Sequence, residues 1–367
     1  MMKTIELSSE LIKLHKYDGG SDKRATVDLI KTYLEKNNLH VELITSNGIV
    51  SVIGSTKGRK ENSKKIILNG HYDTVPPSSS WTVDPFKGNI KGGYIWGLGV
   101  VDMTCNLAAM INTSITLSKE KLPGEVVVVA VGDEEKGGHN GTKATLEKGV
   151  AGDYAVIGEP TGMKLAVGHK SIIEVELVAT GKSAHSAFPV AGKNAIHMMA
   201  KVLNDLVEEY KPKFDKYEEL FDQITLTTGT IRGGTAVNVV ADKCTAELNF
   251  RLPPKMDKDK FLNALQKQCG EVKVNTLLAD NGWICDEKSD YVHTASQLLE
   301  RITGSKTQLM HKLGGNDARF YSAAGIPTIN VGAGNMKLLH APDERVSLTE
   351  LKQVEQYYCE LSKKLLA

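Results

Sequence analysis

The sequence predicts an α/β protein whose doubly wound, mainly parallel sheet is interrupted by an inserted α+β domain. Three observations support this fold class. Apolar runs such as 65–69 and 125–131 are continuous rather than alternating, as expected of strands that are buried on both faces of a sheet. Predicted strands alternate with helices before residue 170 and again after residue 279. The segment between them has the order βαββαβ of a ferredoxin-like domain.

The composition excludes several classes of function. Of the 367 residues, 45 are Lys or Arg and 44 are Asp or Glu, so the formal net charge is +1. That charge is too small to attract nucleic acid or anionic lipid, and the longest apolar run, 126–131, is too short to span a bilayer. The five cysteines include no CxxC pair, which indicates free thiols and a cytoplasmic location. We therefore expect an enzyme acting on small molecules, with no nucleic-acid or membrane partner.

The first part of the chain opens with two amphipathic helices. Leu7 and Leu11 recur at helical spacing, and the second apolar stripe, in 29–34, follows a predicted N-cap at Ser21-Asp22. The basic stretch 57–65 is predicted to be a solvated hairpin loop. The predicted strands of this part are 40–45, 49–54, 66–69, 126–131 and 154–158.

The same patterns predict the helices and strands of the insert and of the last part of the chain. In the insert, strands are predicted over 171–180, 224–231, 245–251 and 271–278, and helices over 193–210 and 257–268. The α/β pattern then resumes with helices over 290–303, 317–324 and 348–366 and a strand over 327–331. These predictions place a catalytic domain at 1–169 and 280–367 and an inserted domain at 170–279.

Five segments place acidic or histidine side chains at the end of a predicted strand or in the loop that follows it. These are the positions at which α/β folds build their sites. A histidine here can bind a metal while a nearby carboxylate orients its ring, and paired glutamates after a buried strand need a cation or an ion pair. Any one of these acids is explained as a cap or a surface residue, but five such loops together predict a metal site. The segments are GHYDTVPP with His71 and Asp73, GLGVVDM with Asp102, GDEEKGG with Glu134 and Glu135, GEPT with Glu159, and HAPDE with His340.

These five motifs occur in the same order as in the zinc-dependent aminoacylases, and the sequence resembles that family over essentially its whole length. The family includes acetylornithine deacetylase, succinyl-diaminopimelate desuccinylase and the glutamate carboxypeptidases. The resemblance implies a zinc-hydrolase fold with two Zn²⁺ per subunit, for which Co²⁺ or Mn²⁺ can substitute. It implies one zinc on His71, Asp102 and Glu159 and the other on Asp102, Glu135 and His340.

The resemblance also implies the roles of the residues around the metals. Glu134 would be the general base, and Asp73 would be a further catalytic residue that occupies the same place as in the family. A cis peptide bond would follow Asp102. In the inserted domain, His185 would reach the active site of the partner subunit of a homodimer and stabilise the developing oxyanion. Without the resemblance, His185 is equally well explained as a histidine at the start of a helix.

Asn238 and Arg251 match family positions that contact substrate, and the segment GGNDARF, which contains Arg319, resembles the family's glycine-rich segment ending in an arginine. The two arginines are candidates to bind a substrate carboxylate. For each arginine a structural salt bridge remains the alternative.

The sequence departs from the family around Asp102. Leu98 stands where the family has arginine, and Thr104-Cys105 stands where it has lysine and glycine. Loss of supporting groups around a metal site can cost about 10–100-fold in metal affinity or activity. Cys105 is either a small packing residue or a soft, oxidisable group near the metals.

Three functions are therefore considered. The leading hypothesis is a dizinc hydrolase that cleaves the amide bond of an N-acyl amino acid. A zinc carboxypeptidase or dipeptidase of the same family is the alternative, because the chemistry of amide cleavage is the same. A catalytically silent scaffold or binding subunit is the alternative of another class.

Overall fold

The computed structural model describes residues 2–15, 23–56, 63–213 and 220–367. The chain divides into two compact units. Unit 1 comprises Met1–Val167, Cys285–Met310 and Asn316–Ala367, and unit 2 comprises Gly168–Ile284 and His311–Gly315. The cap predicted at Ser21-Asp22 and most of the loop predicted at 57–65 lie outside the described residues. The domain boundaries at 169/170 and 279/280 stay predictions.

The first part of unit 1 contains two helices followed by the strands of a sheet. Its elements, the last of which runs on into unit 2, are α1 (Thr4–Lys13), α2 (Arg24–Lys36), β1 (His40–Ser46), β2 (Ile49–Ser55), β3 (Lys65–His71), β4 (Asn89–Lys91), β5 (Tyr94–Trp96), α3 (Cys105–Ser118), β6 (Glu125–Val131), α4 (Thr142–Glu147), β7 (Tyr154–Ile157) and β8 (Leu165–His169).

Unit 2 has the predicted order βαββαβ, followed by a short strand. Its elements are β9 (Ser171–Thr180), α5 (Ala195–Glu209), β10 (Thr225–Gly233), β11 (Lys243–Leu252), α6 (Lys258–Cys269), β12 (Lys273–Asp280) and β13 (Trp283–Ile284). The sheet order is β10-β11-β9-β12, and every neighbouring pair is antiparallel. Residues on β9 alternate between buried and half-buried positions, because one face of this sheet packs against α5 and α6.

The remainder of the chain completes unit 1. Its elements are α7 (Asp290–Thr303), β14 (Leu309–Lys312, which crosses into unit 2), α8 (Ala318–Ala323), β15 (Thr328–Asn330), β16 (Arg345–Ser347) and α9 (Leu348–Leu366). Helix α9 begins where the Ser347 side chain accepts hydrogen bonds from the amides of Thr349 and Glu350. Strands β16, β5 and β4 form a small separate sheet.

The main sheet confirms the predicted α/β fold class. In unit 1 its order is β1-β2-β6-β3-β7-β15-β8. The central strands β6, β3, β7 and β15 are parallel, whereas β1, β2 and β8 pair antiparallel. Six of the seven residues in β3 and in β6 are buried, which explains their continuous apolar runs. Helix α3 packs against β3 and β6, and α9 packs against α3.

The register of the parallel strands brings the motif loops to one edge of the sheet. His71 at the end of β3 pairs with Val131 at the end of β6, and Asn69 pairs with Ile157 at the end of β7. The residues that follow these three neighbouring strands therefore meet at the same edge, as in other open α/β sheets. Within the described part of the chain, every helix is too short or too polar to cross a bilayer.

Candidate metal centre

The first group of ligand-capable side chains surrounds His71. Its Nε2 lies 3.0 Å from Oδ1 of Asp102 and 3.5 Å from Oε1 of Glu159. Its Nδ1 lies 3.0 Å from the carbonyl oxygen of Asp73 and 3.4 Å from Oδ1 of the same residue. All four residues are buried. If Nδ1 donates to Asp73, then Nε2 is the ring nitrogen that can bind a metal.

Asp102 reaches this position because its turn lies directly on the sheet. The Met103 side chain packs over Gly70 in β3 and over Gly158 just after β7. A Cβ added at Gly70 would lie 2.6 Å from Cε of Met103, and one added at Gly158 would lie 2.5 Å from the same atom. The peptide bond between Asp102 and Met103 is cis, in agreement with the expectation from the resemblance.

The second group shares Asp102 with the first. Oδ2 of Asp102 lies 3.2 Å from Nε2 of His340, and Oε1 of Glu135 lies 3.2 Å from the same nitrogen. One potential ligand atom from each of these three residues falls within 4.8 Å of the others. His340 is half exposed and has a positive φ of 55°. A single carboxylate thus contacts both histidines, one through each oxygen.

The loop after β6 carries Glu134 and Glu135 and is held by Asp73. The Asp73 carboxylate accepts a hydrogen bond from the Glu134 amide at 3.3 Å and from the Glu135 amide at 3.1 Å. A carboxylate oxygen of Glu134 also lies within 4.8 Å of one potential ligand atom of His71 and one of Glu159. The geometry therefore permits Glu134 to act either as a base beside the metals or as a ligand.

The electrostatics of the two groups call for positive charge. Burial, followed by the charge of Glu159, raises the pKa of Glu134 well above its usual value. Burial lowers the pKa of His71, but its hydrogen bonds to three carboxylates outweigh that effect and raise the pKa well above the usual range. The hydrogen bond to Asp102 is the main cause that raises the pKa of His340 to about 10. The shifts have a common origin in the negative charge of the clustered carboxylates, which divalent cations can neutralise.

The residues that depart from the family pattern form an uncharged environment. Leu98 is buried. Oγ1 of Thr104 lies 2.7 Å from Nε2 of His15, and burial lowers the pKa of His15 to about 3, so this imidazole is neutral. Burial raises the pKa of the Cys105 thiol to about 12. Cys105 begins α3 with no exposed surface, which favours its interpretation as a packing residue.

Two residues near Asp102 were missed by the sequence analysis. Oε2 of the buried Glu344 accepts a hydrogen bond from the Val101 amide at 3.3 Å, and burial raises its pKa to about 8. Glu344 ends the HAPDE motif, so its place in that motif was an available signal. His15 ends an N-terminal stretch with no motif, and nothing in the sequence relates it to Thr104.

In unit 2 the structure brings His185 and Asn238 onto adjacent segments. The Ser186 amide donates to the Asn238 carbonyl at 3.1 Å, and both His185 and Asn238 are exposed. Nδ1 of His185 accepts a hydrogen bond from the Ala187 amide at 3.0 Å. In the neutral ring the proton is then on Nε2, which makes Nε2 a hydrogen-bond donor.

The two candidate arginines have different surroundings. Arg251, in unit 2, is half-buried and donates from Nε to Oδ1 of Asn249 at 3.0 Å. Arg319, in unit 1, is buried and donates from Nη2 to the Gly137 carbonyl at 2.7 Å. Gly137 belongs to the loop of Glu134 and Glu135. The structure therefore places Arg319 against the backbone of that loop.

Comparisons with known proteins agree with this geometry. The model of peptidase family M20/M25/M40 matches residues 67–364. A succinyl-diaminopimelate desuccinylase of Helicobacter pylori is 32% identical over 317 residues, which cover 82% of this chain and 81% of that protein. Another desuccinylase, from Cereibacter sphaeroides, is 28% identical over 350 residues and 90% of each chain. An M20 family metallo-carboxypeptidase from Sulfolobus solfataricus has the same fold, with a TM-score of 0.82 at 19% identity over 99% of both chains.

Proposed function

The chain belongs to peptidase family M20/M25/M40 and is an amide-bond hydrolase; from that premise we propose that it is a metal-dependent deacylase of N-acyl amino acids. Its curated relatives are named succinyl-diaminopimelate desuccinylases, so N-succinyl amino acids are the first substrate class to test. The observation that carries the proposal is Asp102, whose two carboxylate oxygens face two histidines.

The residues present fit a pair of divalent cations. Two histidines and a set of carboxylates form the kind of nitrogen and oxygen donor set that zinc accepts. Two Zn²⁺ carry +4 and three carboxylates return −3, so the filled site is close to neutral. We propose one cation on His71, Asp102 and Glu159 and one on Asp102, Glu135 and His340, with Zn²⁺ as the resident ion and Co²⁺ or Mn²⁺ as substitutes.

Glu134 is proposed as the general base. When bound, the two cations would polarise the amide carbonyl and lower the pKa of a water molecule. Glu134 then accepts a proton from the attacking water at its carboxylate oxygen and donates a proton to the leaving nitrogen. The Asp73 carboxylate accepts hydrogen bonds from the amides of Glu134 and Glu135, which fixes the position of the base. The products are a free amine and a carboxylate.

Residues of unit 2 complete the proposal. His185 is proposed to donate from Nε2 to the oxyanion that forms during attack, and Asn238 and Arg251 to bind the substrate. We propose a homodimer formed through unit 2. The side chains of Phe188, Val190 and Val237 are largely exposed, and such an apolar surface is typical of an interface.

All five cysteines are free thiols, which favours a cytoplasmic location.

The experiment is a hydrolysis screen of N-succinyl amino acids, N-acetyl amino acids and dipeptides with zinc, cobalt or manganese supplied. The proposal predicts turnover of at least one N-acyl amino acid, and loss of that turnover in Glu134→Gln with both metals retained. Preferential turnover of dipeptides would replace the deacylase with the peptidase alternative. Equal inertness of the parent and Glu134→Gln on every substrate would favour the scaffold alternative. A Glu134→Gln variant that also loses metal would make Glu134 a ligand.

The role of His185 is tested by mixing two variants of the protein. His185→Ala and Glu134→Gln are each expected to be inactive alone. If His185 serves the partner subunit, exchange of subunits between the two variants restores activity, because one site of the mixed dimer has both residues intact. No recovery after subunit exchange would place His185 in the site of its own chain or outside the reaction.

A further inference from the structure

We propose that Arg319 is a positioning residue for the loop 133–138, which carries Glu134 and Glu135, and does not bind the substrate carboxylate. This inference rests on the proposed function, because it concerns how the base and one metal ligand are held. It differs from the substrate-binding role for which the sequence makes this arginine a candidate.

The guanidinium of Arg319 already contacts residues of its own unit. Nη2 donates to the Gly137 carbonyl at 2.7 Å, and Nη1 donates to the Asn316 carbonyl at 3.0 Å. The Phe320 ring covers one face, with its centroid 4.5 Å from Cζ. Only 5% of Arg319 is exposed. A substrate carboxylate would have to displace these backbone carbonyls and lose the bidentate geometry that arginine offers.

The loop is thereby held from two sides. Asp73 accepts from the amides of Glu134 and Glu135, and the Gly137 amide donates to the Glu134 carbonyl at 2.8 Å, which closes a tight turn. Arg319 binds the carbonyl at the far end of that turn. The amides of Lys136 and Gly138 also donate to the Asp133 carbonyl, so backbone hydrogen bonds set the shape of the turn. The two charged contacts attach the turn to the structure around it and so fix its position.

The segment that carries Arg319 is itself anchored to the sheet. Oδ2 of Asp317 accepts from the Thr142 hydroxyl at 2.6 Å, and Nδ2 of Asn69 donates to the same hydroxyl at 2.9 Å. Asn69 lies in β3, two residues before His71. Oδ1 of Asp317 lies so close to Gly138 that a Cβ there would come within 2.1 Å. Buried hydrogen bonds therefore join the strand of one proposed ligand to the segment of Arg319, and that segment packs against the loop of another.

The experiment compares an acid substrate with an analogue that lacks the charge of the α-carboxylate. An N-succinyl amino acid and its α-amide are assayed with the parent, Arg319→Met, Arg319→Lys and Arg251→Met. A positioning role predicts that Arg319→Met lowers kcat for both substrates by about the same factor, about 10–100-fold. KM should change by less than about threefold, and Arg319→Lys should recover part of kcat because one ammonium can still reach the Gly137 carbonyl. Arg301→Met, which removes a surface ion pair with Glu360 in the same unit, is the matched control and should leave both constants unchanged.

The opposite pattern would overturn the inference. If Arg319→Met raises KM for the acid and leaves the amide unaffected, then Arg319 binds the α-carboxylate. If it raises KM for both substrates, then Arg319 binds the succinyl carboxylate. Should Arg319→Met fail to fold, Arg319→Lys is judged by the same criterion.

A cobalt titration of the metal-free protein gives a readout that does not depend on turnover. Loosening the Glu135 loop should weaken one of two cobalt equivalents by about 10-fold or more in Arg319→Met, and unchanged affinity for both would contradict the inference. If the parent hydrolyses neither substrate, the proposed function fails, whereas this titration still decides the role of Arg319.

Discussion

Oδ2 of Asp102 lies 3.2 Å from Nε2 of His340, a residue near the other end of the chain. The second oxygen of the same carboxylate lies 3.0 Å from Nε2 of His71. His71 ends β3 and His340 lies beyond β15, far away in the sequence, and only the fold brings them to one acid. Asp102 is therefore the residue whose loss should affect both metal positions at once.

Asp102→Asn is predicted to weaken the binding of both metal equivalents. An amide oxygen supplies no negative charge, and its nitrogen cannot act as the second ligand of a bridge. Glu135→Gln, by contrast, should weaken only the equivalent that involves His340. Titration of metal-free protein with Co²⁺, followed by visible absorption, measures both affinities. Loss of a single equivalent in Asp102→Asn would contradict the shared role of Asp102.

Removal of metal is predicted to lower thermal stability. Without cations, the carboxylates after β3, β6 and β7 lie close together and repel one another, and ligand binding stabilises the folded state by about 2.7 kcal/mol at 100 times Kd. A chelator should therefore lower the Tm of the parent by roughly 5–10 °C and should leave the Tm of Asp102→Asn nearly unchanged. Differential scanning calorimetry measures both. An equal response of the two proteins, or none in the parent, would argue against a bound metal.

The Cys105 thiol is predicted to be unreactive in the folded protein. It is fully buried, and burial raises its pKa to about 12, so almost no thiolate forms at pH 8. Thiol labelling followed by peptide mass spectrometry should modify Cys359, which is only half-buried, much sooner than Cys105. Denatured protein should label at all five positions. Fast labelling of Cys105, or protection of Cys105 that appears only with zinc, would support its alternative role near the metals.

The free energy of unfolding of the metal-free protein is predicted to fall as the pH rises from 4 to 7, because of the ionisation of Asp317. Burial raises the pKa of Asp317 to about 7 in the folded state, above the value of about 3.9 in an unfolded chain. The folded state then binds more protons than the unfolded state over this range, so the free energy of unfolding falls as pH rises. Asp317→Asn keeps an acceptor for Thr142 and should remove this part of the slope.

Urea unfolding at pH 5 and pH 8 checks the Asp317 prediction. The difference between the two pH values should be smaller in Asp317→Asn than in the parent, by on the order of a few kcal/mol. Asp259→Asn, at an exposed position in α6, is the control and should behave like the parent. Parallel pH profiles for all three proteins would contradict the prediction.

Much of the fold could be predicted because its patterns are local. The continuous apolar runs of β3 and β6 mark strands buried on both faces, and the βαββαβ order of unit 2 is visible in the alternation of its segments. The edge of the sheet where the motif loops meet then follows from the parallel arrangement. His71, Glu134, Glu135 and Glu159 were predicted as site residues in this way.

The parts that could not be predicted depend on contacts between distant segments. Arg319 and Gly137 are far apart in the sequence, and a GGNDARF segment does not reveal whether its arginine faces a ligand or a backbone carbonyl. His15 meets Thr104 only because α1 packs against the turn before α3. Motifs indicate which side chains can carry chemistry, whereas their partners are determined by tertiary packing.

The most direct test of the central claim is elemental analysis of the purified parent protein after exposure to zinc and removal of unbound metal. The account predicts two zinc ions per chain, because Asp102 is shared by two groups of ligands. A folded protein that retains no zinc would contradict the proposed metal centre, and one that retains a single ion would contradict the bridging role of Asp102.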